Sequence, residues 1–91
     1  MALLVLFDVP TMSMGQYDQV MRDLAAAGAG APAGRLGHHC AEQGAGAQVV
    51  DVWESPETLQ AFAAVLMPIL AANGVTPPNP LVLPLHNQVY A

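Results

Sequence analysis

The segment Val49-Val50-Asp51-Val52-Trp53-Glu54-Ser55-Pro56-Glu57 decides the fold of this chain. Its β-branched first half reads as a strand, with Val49, Asp51 and Trp53 sharing one face. Ser55, Pro56 and Glu57 then supply a helix cap, a proline at the first helical position and an acid near the positive helix end. The helix carries an apolar stripe of Leu59, Phe62, Ala63, Leu66, Ile69 and Leu70 and ends around Asn73-Gly74. Pro68 interrupts it by removing one helical N–H and crowding the carbonyl four residues earlier, so a kink or break is predicted between Ala64 and Pro68.

Working outward, Arg35 to Glu42 and Ala47 to Trp53 flank Gln43-Gly44-Ala45-Gly46, a hairpin signal because glycine tolerates the positive φ of tight turns. If Gly44-Ala45 is the two-residue turn, His38 stands directly across from Asp51; a three-residue loop selects His39 instead. Ala2 to Val9 is apolar on both alternating sets, with Leu3, Val5, Phe7 and Val9 on one face and Leu4 and Leu6 on the other, so both faces must be covered. Ser13 and Gln16 form a capping-box pattern, followed at helical spacing by Tyr17, Val20, Met21 and Leu24 up to Gly28. After the stiff connector Thr76 to Pro80, Leu81 to Tyr90 read as a last strand that is edge or bulged because it contains Pro84.

The order strand, helix, strand, strand, helix, strand is the split βαβ arrangement, an α+β ferredoxin-like fold. Both helices cover one face of a four-stranded antiparallel sheet and leave the other bare. Packing two such sheets together across a two-fold axis covers that face, which predicts a homodimeric α/β barrel that associates through the sheet.

Ninety-one residues make one domain, spanning 1–91. Hydrophobic residues are 54% of the chain and charged ones 10%, more apolar surface than a small monomer hides easily, which again favours self-association. Arg22 and Arg35 are the only basic residues against seven acids, so the positive field needed by nucleic acid or an anionic membrane is absent. The apolar start is too short to span a bilayer and lacks a basic flank or a cleavage site. A lone Cys40 forms no internal disulfide, and no Cys/His spacing suggests a metal, which points to the cytoplasm.

Three stretches, LLVLFDVPTMSMGQYDQV (3–20), VVDVWESPETLQAF (49–62) and PLHNQVY (84–90), resemble the dimeric α/β-barrel proteins of the antibiotic-biosynthesis-monooxygenase-like group. The resemblance implies a homodimer with a ligand cavity in each subunit, between sheet and helices. That group includes cofactor-free oxygenases of phenols and quinols, haem-degrading enzymes, polyketide cyclases and members without a known reaction, so fold alone settles no activity. Haem-degrading relatives carry a tryptophan and an iron-binding histidine at positions corresponding to Phe62 and about Ala71, and a plant cyclase relative uses a tyrosine and a histidine aligning with Phe62 and Pro68. This chain retains none of the four.

Asp8, His38, His39, Asp51, His86 and Asn87 are the remaining polar candidates on the sheet. Similarity to the group suggests that the face bearing Val49, Asp51 and Trp53 looks into the cavity, opposite Tyr17, Val20, Met21, Leu24, Phe62 and Leu66. That pocket is mostly apolar with one His–Asp pair, in which the carboxylate fixes the imidazole tautomer and makes His38 a general base. His86 faces either the cavity or the dimer seam, and Asp8 stands at the exit of the first strand. Two functions follow. One is an enzyme without metal or organic cofactor, acting on a small aromatic or polyketide-like substrate as a monooxygenase or by acid–base cyclisation, isomerisation or elimination. The other is a non-catalytic small-molecule binding or carrier protein using the same cavity.

Overall fold

Two strands that are apolar on both faces belong in the middle of a sheet, and that is where they lie. The computed structural model describes all 91 residues, Met1 to Ala91. Its elements are β1 (Leu3–Val9), α1 (Met14–Ala26), β2 (Arg35–Gln43), β3 (Gly46–Trp53), α2 (Pro56–Ala72) and β4 (Leu81–Pro84). The sheet order is β2-β3-β1-β4, with every neighbouring pair antiparallel. This is the expected ferredoxin-like α+β arrangement.

Register places Leu3, Val5 and Phe7 across from Trp53, Asp51 and Val49. These residues share the inner face, beneath the helices. Val5 and Trp53 are fully buried there, with Val20 and Leu24 of α1 and Phe62 and Leu70 of α2 packed onto them. The capping box forms as read: Ser13 Oγ accepts from the Gln16 amide at 3.1 Å, and Gln16 Oε1 accepts from the Ser13 amide at 2.9 Å. The two helix ends are tied together at Asn73. Its Nδ2 donates to Asp23 Oδ2 at 2.9 Å, and its carbonyl accepts from Gln16 Nε2 at 3.1 Å.

Gly44-Ala45 is the hairpin turn, with Gln43 paired to Gly46 and Gly44 at φ 59°. His38 therefore pairs with Asp51, and His39 with Val50 on the outer face. One irregularity interrupts β2. Arg35 pairs with Trp53 and Gly37 with Val52, so Leu36 is an extra, bulged residue.

Helix α2 continues through Pro68 as one helix, so the chain does not break there. Pro68 and Ala64 are both exposed, so water can satisfy the carbonyl that loses its partner, while Phe62 and Leu70 clamp the buried side. The last strand stops at Pro84 rather than continuing to Tyr90. Pro84 pairs with Leu3 and the Leu85 amide donates to the Ala2 carbonyl at 2.9 Å, so the partner strand has run out of backbone. The chain then turns over the outer face. Gln88 Nε2 lies 3.4 Å from where a Cβ on Gly37 would stand. No helix is long and apolar enough to cross a membrane.

Candidate active site

The inner sheet face and the two helices enclose a cavity of about 260 Å³. Tyr17, Val20, Met21 and Leu24 of α1 line one side, and Phe62 and Leu66 of α2 another. The floor is β-sheet, with Val49, Asp51 and His38 exposed to the space. The stripe spacing of α1 and the alternation of β3 aim these side chains inward.

A continuous hydrogen-bonded chain crosses this floor. Trp53 Nε1 donates to Asp51 Oδ2 at 3.1 Å. Asp51 Oδ1 is 2.6 Å from His38 Nδ1, and His38 Nε2 is 2.6 Å from the Tyr17 hydroxyl. The indole N–H is a donor only, and an ionised carboxylate accepts only, so Asp51 takes hydrogens from both neighbours. His38 Nδ1 then carries the imidazole proton, Nε2 is the acceptor, and Tyr17 donates to it. The Tyr17 and His38 rings are nearly parallel, at 5° with centroids 5.9 Å apart. With the hydroxyl on Nε2, they meet edge to edge.

Burial is graded along the chain. The Asp51 side chain is 5% exposed and that of His38 20%. No buried side-chain nitrogen or oxygen lacks a hydrogen-bond partner. Burial pushes the Tyr17 pKa above its ordinary value of 10.0; Cys40, Asp51 and Asp18 add to the rise and Arg35 opposes it. Tyr17 is therefore held neutral and is a donor at rest. Burial likewise raises the thiol of Cys40, which packs against the core beside the site.

Three residues expected at the site are elsewhere. Asp8 is exposed on the opposite face of β1, because it alternates with Phe7 and Val9. His86 follows the end of β4 and is exposed away from the cavity. Trp53 is fully buried behind the cavity wall, with its ring centroid 5.2 Å from that of Phe62. It holds Asp51 and does not line the space. Conversely, Tyr17 was expected as wall and is a member of the polar chain; the available signal is that it is the one hydroxyl on the α1 stripe. Arg35 also lines the cavity and had no such expectation.

Comparison of the whole structure with solved ones gives several matches. One is a protein from Chloroflexus aurantiacus J-10-fl bearing the name antibiotic biosynthesis monooxygenase, at TM-score 0.66 and 16% identity over 98% of each chain. Another is SnoaB, a cofactor-independent oxygenase from Streptomyces nogalater, at TM-score 0.67 and 13% identity, covering 97% of this chain and 95% of SnoaB. The fold is that of the antibiotic-biosynthesis-monooxygenase-like proteins. MhuD, a heme-degrader from Mycobacterium tuberculosis with two hemes bound in its active site, matches this monooxygenase-like fold at TM-score 0.53 and 23% identity, over 99% of this chain and 100% of MhuD. No family model and no curated protein matches the chain.

Haem does not fit the residues present. Helix α2 carries no histidine, cysteine or tyrosine, and both nitrogens of the one cavity imidazole are already engaged.

Proposed function

We propose that this chain is a cofactor-independent oxygenase of small aromatic or enolic hydroxyl compounds, working in the cytoplasm. The hydrogen-bonded Asp51–His38–Tyr17 chain at the floor of an apolar cavity carries this reading. The cavity is just below the roughly 300–1,000 Å³ of most small-molecule sites, which suits a compact, flat substrate. The match in fold to SnoaB, a cofactor-independent oxygenase, supports the same reading.

The substrate hydroxyl meets the Tyr17 oxygen. Its proton passes to Tyr17 as the Tyr17 proton passes to His38 Nε2, so a tyrosine kept neutral by burial never has to hold charge. Asp51 faces the resulting imidazolium and offsets it. The substrate anion, in surroundings nearly free of water, gives one electron to dioxygen. Radical and superoxide combine to form a C–O bond, the peroxide takes the proton back from His38, and loss of water leaves the quinone. The sum is phenol plus dioxygen to quinone plus water.

The bare sheet face supports self-association as part of this reading. Leu81 and Leu83 of β4 are 57% and 42% exposed beside Leu6 and Leu4, forming an apolar strip that a second copy would cover across a two-fold axis.

The test is turnover of a panel of naphthols and anthrones with a metal chelator present, with and without dioxygen. Oxygen-dependent product formation that H38A and Y17F both abolish is the expected result. Product formed equally without dioxygen assigns the same base to isomerisation or cyclisation. A ligand bound and recovered unchanged throughout makes the chain a carrier and overturns the reading.

A further inference from the structure

Besides Tyr17, His38 and Asp51, the only polar side chains on the cavity wall are Arg35 and Gln60. Arg35 is one of two cations in a chain with seven acids, and no carboxylate pairs with it. One of its guanidinium nitrogens donates to the Gly30 carbonyl at 3.1 Å, and the group sits 5.9 Å from the Phe62 ring centroid. Of five N–H donors, one is used within the protein. A cation with no carboxylate in contact, on the wall of a mostly apolar space, is a feature that stability alone does not ask for.

How Arg35 reaches the cavity is the second observation. Arg35 and His38 are three residues apart on β2, and strict alternation would send them to opposite faces of the sheet. The bulge at Leu36 resets the alternation: Arg35 pairs with Trp53 and His38 with Asp51, both inner-face residues, while the extra Leu36 is left 47% exposed. Bulges re-aim side chains next to sites in this way. Three residues of strand separate the two backbones by roughly 10 Å at most. A two-ring molecule spans such a gap.

Resting on the reading of this cavity as the substrate site, we infer that Arg35 is a carboxylate anchor and that the substrate is an aromatic hydroxy acid. The carboxylate sits on the guanidinium at one end and the reacting hydroxyl on Tyr17 at the other. The planar fork of Arg35 matches a carboxylate in two parallel hydrogen bonds, and the apolar walls strengthen that contact. Arg35 already bears on the other end of the cavity: its charge opposes the burial that raises the Tyr17 pKa.

The experiment is calorimetric titration of the whole protein at neutral pH with 6-hydroxy-2-naphthoate and with 2-naphthol, which share a frame and hydroxyl and differ by the carboxylate. The acid binds about tenfold tighter or more in the native chain. In R35Q, that preference disappears while 2-naphthol binds as before, and R35K restores part of it. R35M, which keeps the stem over Phe62, behaves like R35Q. Equal binding of the two ligands to the native chain overturns the anchor and leaves the Tyr17–His38 chemistry standing. Equal loss of both ligands in R35Q and R35M reduces Arg35 to packing and overturns it too. Failure of both ligands to bind the native chain removes the cavity reading along with the anchor.

Discussion

Replacing Asp51 by asparagine changes one atom and should reverse the direction of the whole relay. In the native chain, Asp51 accepts from Trp53 Nε1 and from His38 Nδ1. An asparagine accepts with only one of its two terminal atoms. Turning its oxygen toward His38 sets an amide N–H₂ against the buried indole N–H, a donor facing a donor, costing about 1–3 kcal/mol. Turning the oxygen toward Trp53 avoids this and points the amide at His38 Nδ1, which must then become the acceptor. The imidazole proton moves to Nε2, and Tyr17 loses the base that receives its hydrogen. Two charge-assisted bonds become neutral ones, each weaker by roughly 1 kcal/mol. Relief from burying a carboxylate returns part of that, leaving a net loss of about 1–2 kcal/mol. For a domain of this size, Tm falls by roughly 4–16 °C. Turnover falls far more, by roughly 10²–10⁴, because the tautomer is wrong and not merely looser. Long-range proton–nitrogen correlation spectra of the His38 ring read the tautomer directly. A native ring with its proton on Nε2, or a D51N ring that keeps it on Nδ1 with turnover intact, refutes this reasoning.

Other perturbations test the surroundings of the site. Tyr17 has its pKa raised by burial, so between its ordinary 10.0 and the folded value the folded chain keeps a proton that the unfolded chain has released. Its contribution is full below that window and is lost as pH rises through it; Y17F should flatten this alkaline limb, read as urea midpoints either side of about pH 10. Asp23 has its pKa lowered, chiefly by the hydrogen bond from Asn73 and then by that from Gln19. Its contribution is present above the ordinary 3.8 and is lost as pH falls through the folded value, so N73A should make the acid limb shallower in the same titration. A Cβ on Gly46 would press into the backbone of Pro10, which cannot swing aside as a side chain can. G46A should therefore lower the urea midpoint by the equivalent of about 1–3 kcal/mol; an unchanged midpoint would mean that the turn after β1 moves freely.

What was legible in the sequence follows the range over which each feature is determined. The His38–Asp51 pair could be read because a two-residue turn at Gly44-Ala45 fixes hairpin register locally, and His38–Asp51 is only the sixth pair from that turn. The capping box at Ser13 and Gln16 is likewise a matter of three residues. Tyr17 could be placed on the inner stripe of α1, but its bond to His38 depends on how far along the sheet that helix sits, which no local pattern states. The end of β4 differs from the sequence reading because, past the Leu85–Ala2 hydrogen bond, His86 to Tyr90 have no strand to pair with, and strand length is a property of both strands. Trp53 was placed on the right face but at the wrong depth: alternation says inward, and only the packing of Phe62 against it says behind the wall. The bulge at Leu36 was invisible for the opposite reason, since Leu-Gly beside a strand start is a weak signal while its effect on Arg35 is a complete change of face.

That last difference bears on why the site is built on β2 and β3 at all. Burying Asp51 where only a histidine and an indole can satisfy it is not the most stable use of an inner-sheet position, since a well-packed apolar pair often does as well or better. The same holds for Arg35, whose inward aim requires a break in the ladder that an uninterrupted strand would avoid. Both departures fall on the β2–β3 hairpin, on paired strands, and both face the cavity between the sheet and the helices. The other inner-face positions of β1 and β3 remain apolar and carry the core. A sheet whose only buried charge and only bulge converge on the same space keeps its core on the apolar inner positions of β1 and β3, while Arg35, His38 and Asp51 of the β2–β3 hairpin meet Tyr17 of α1 to form the site.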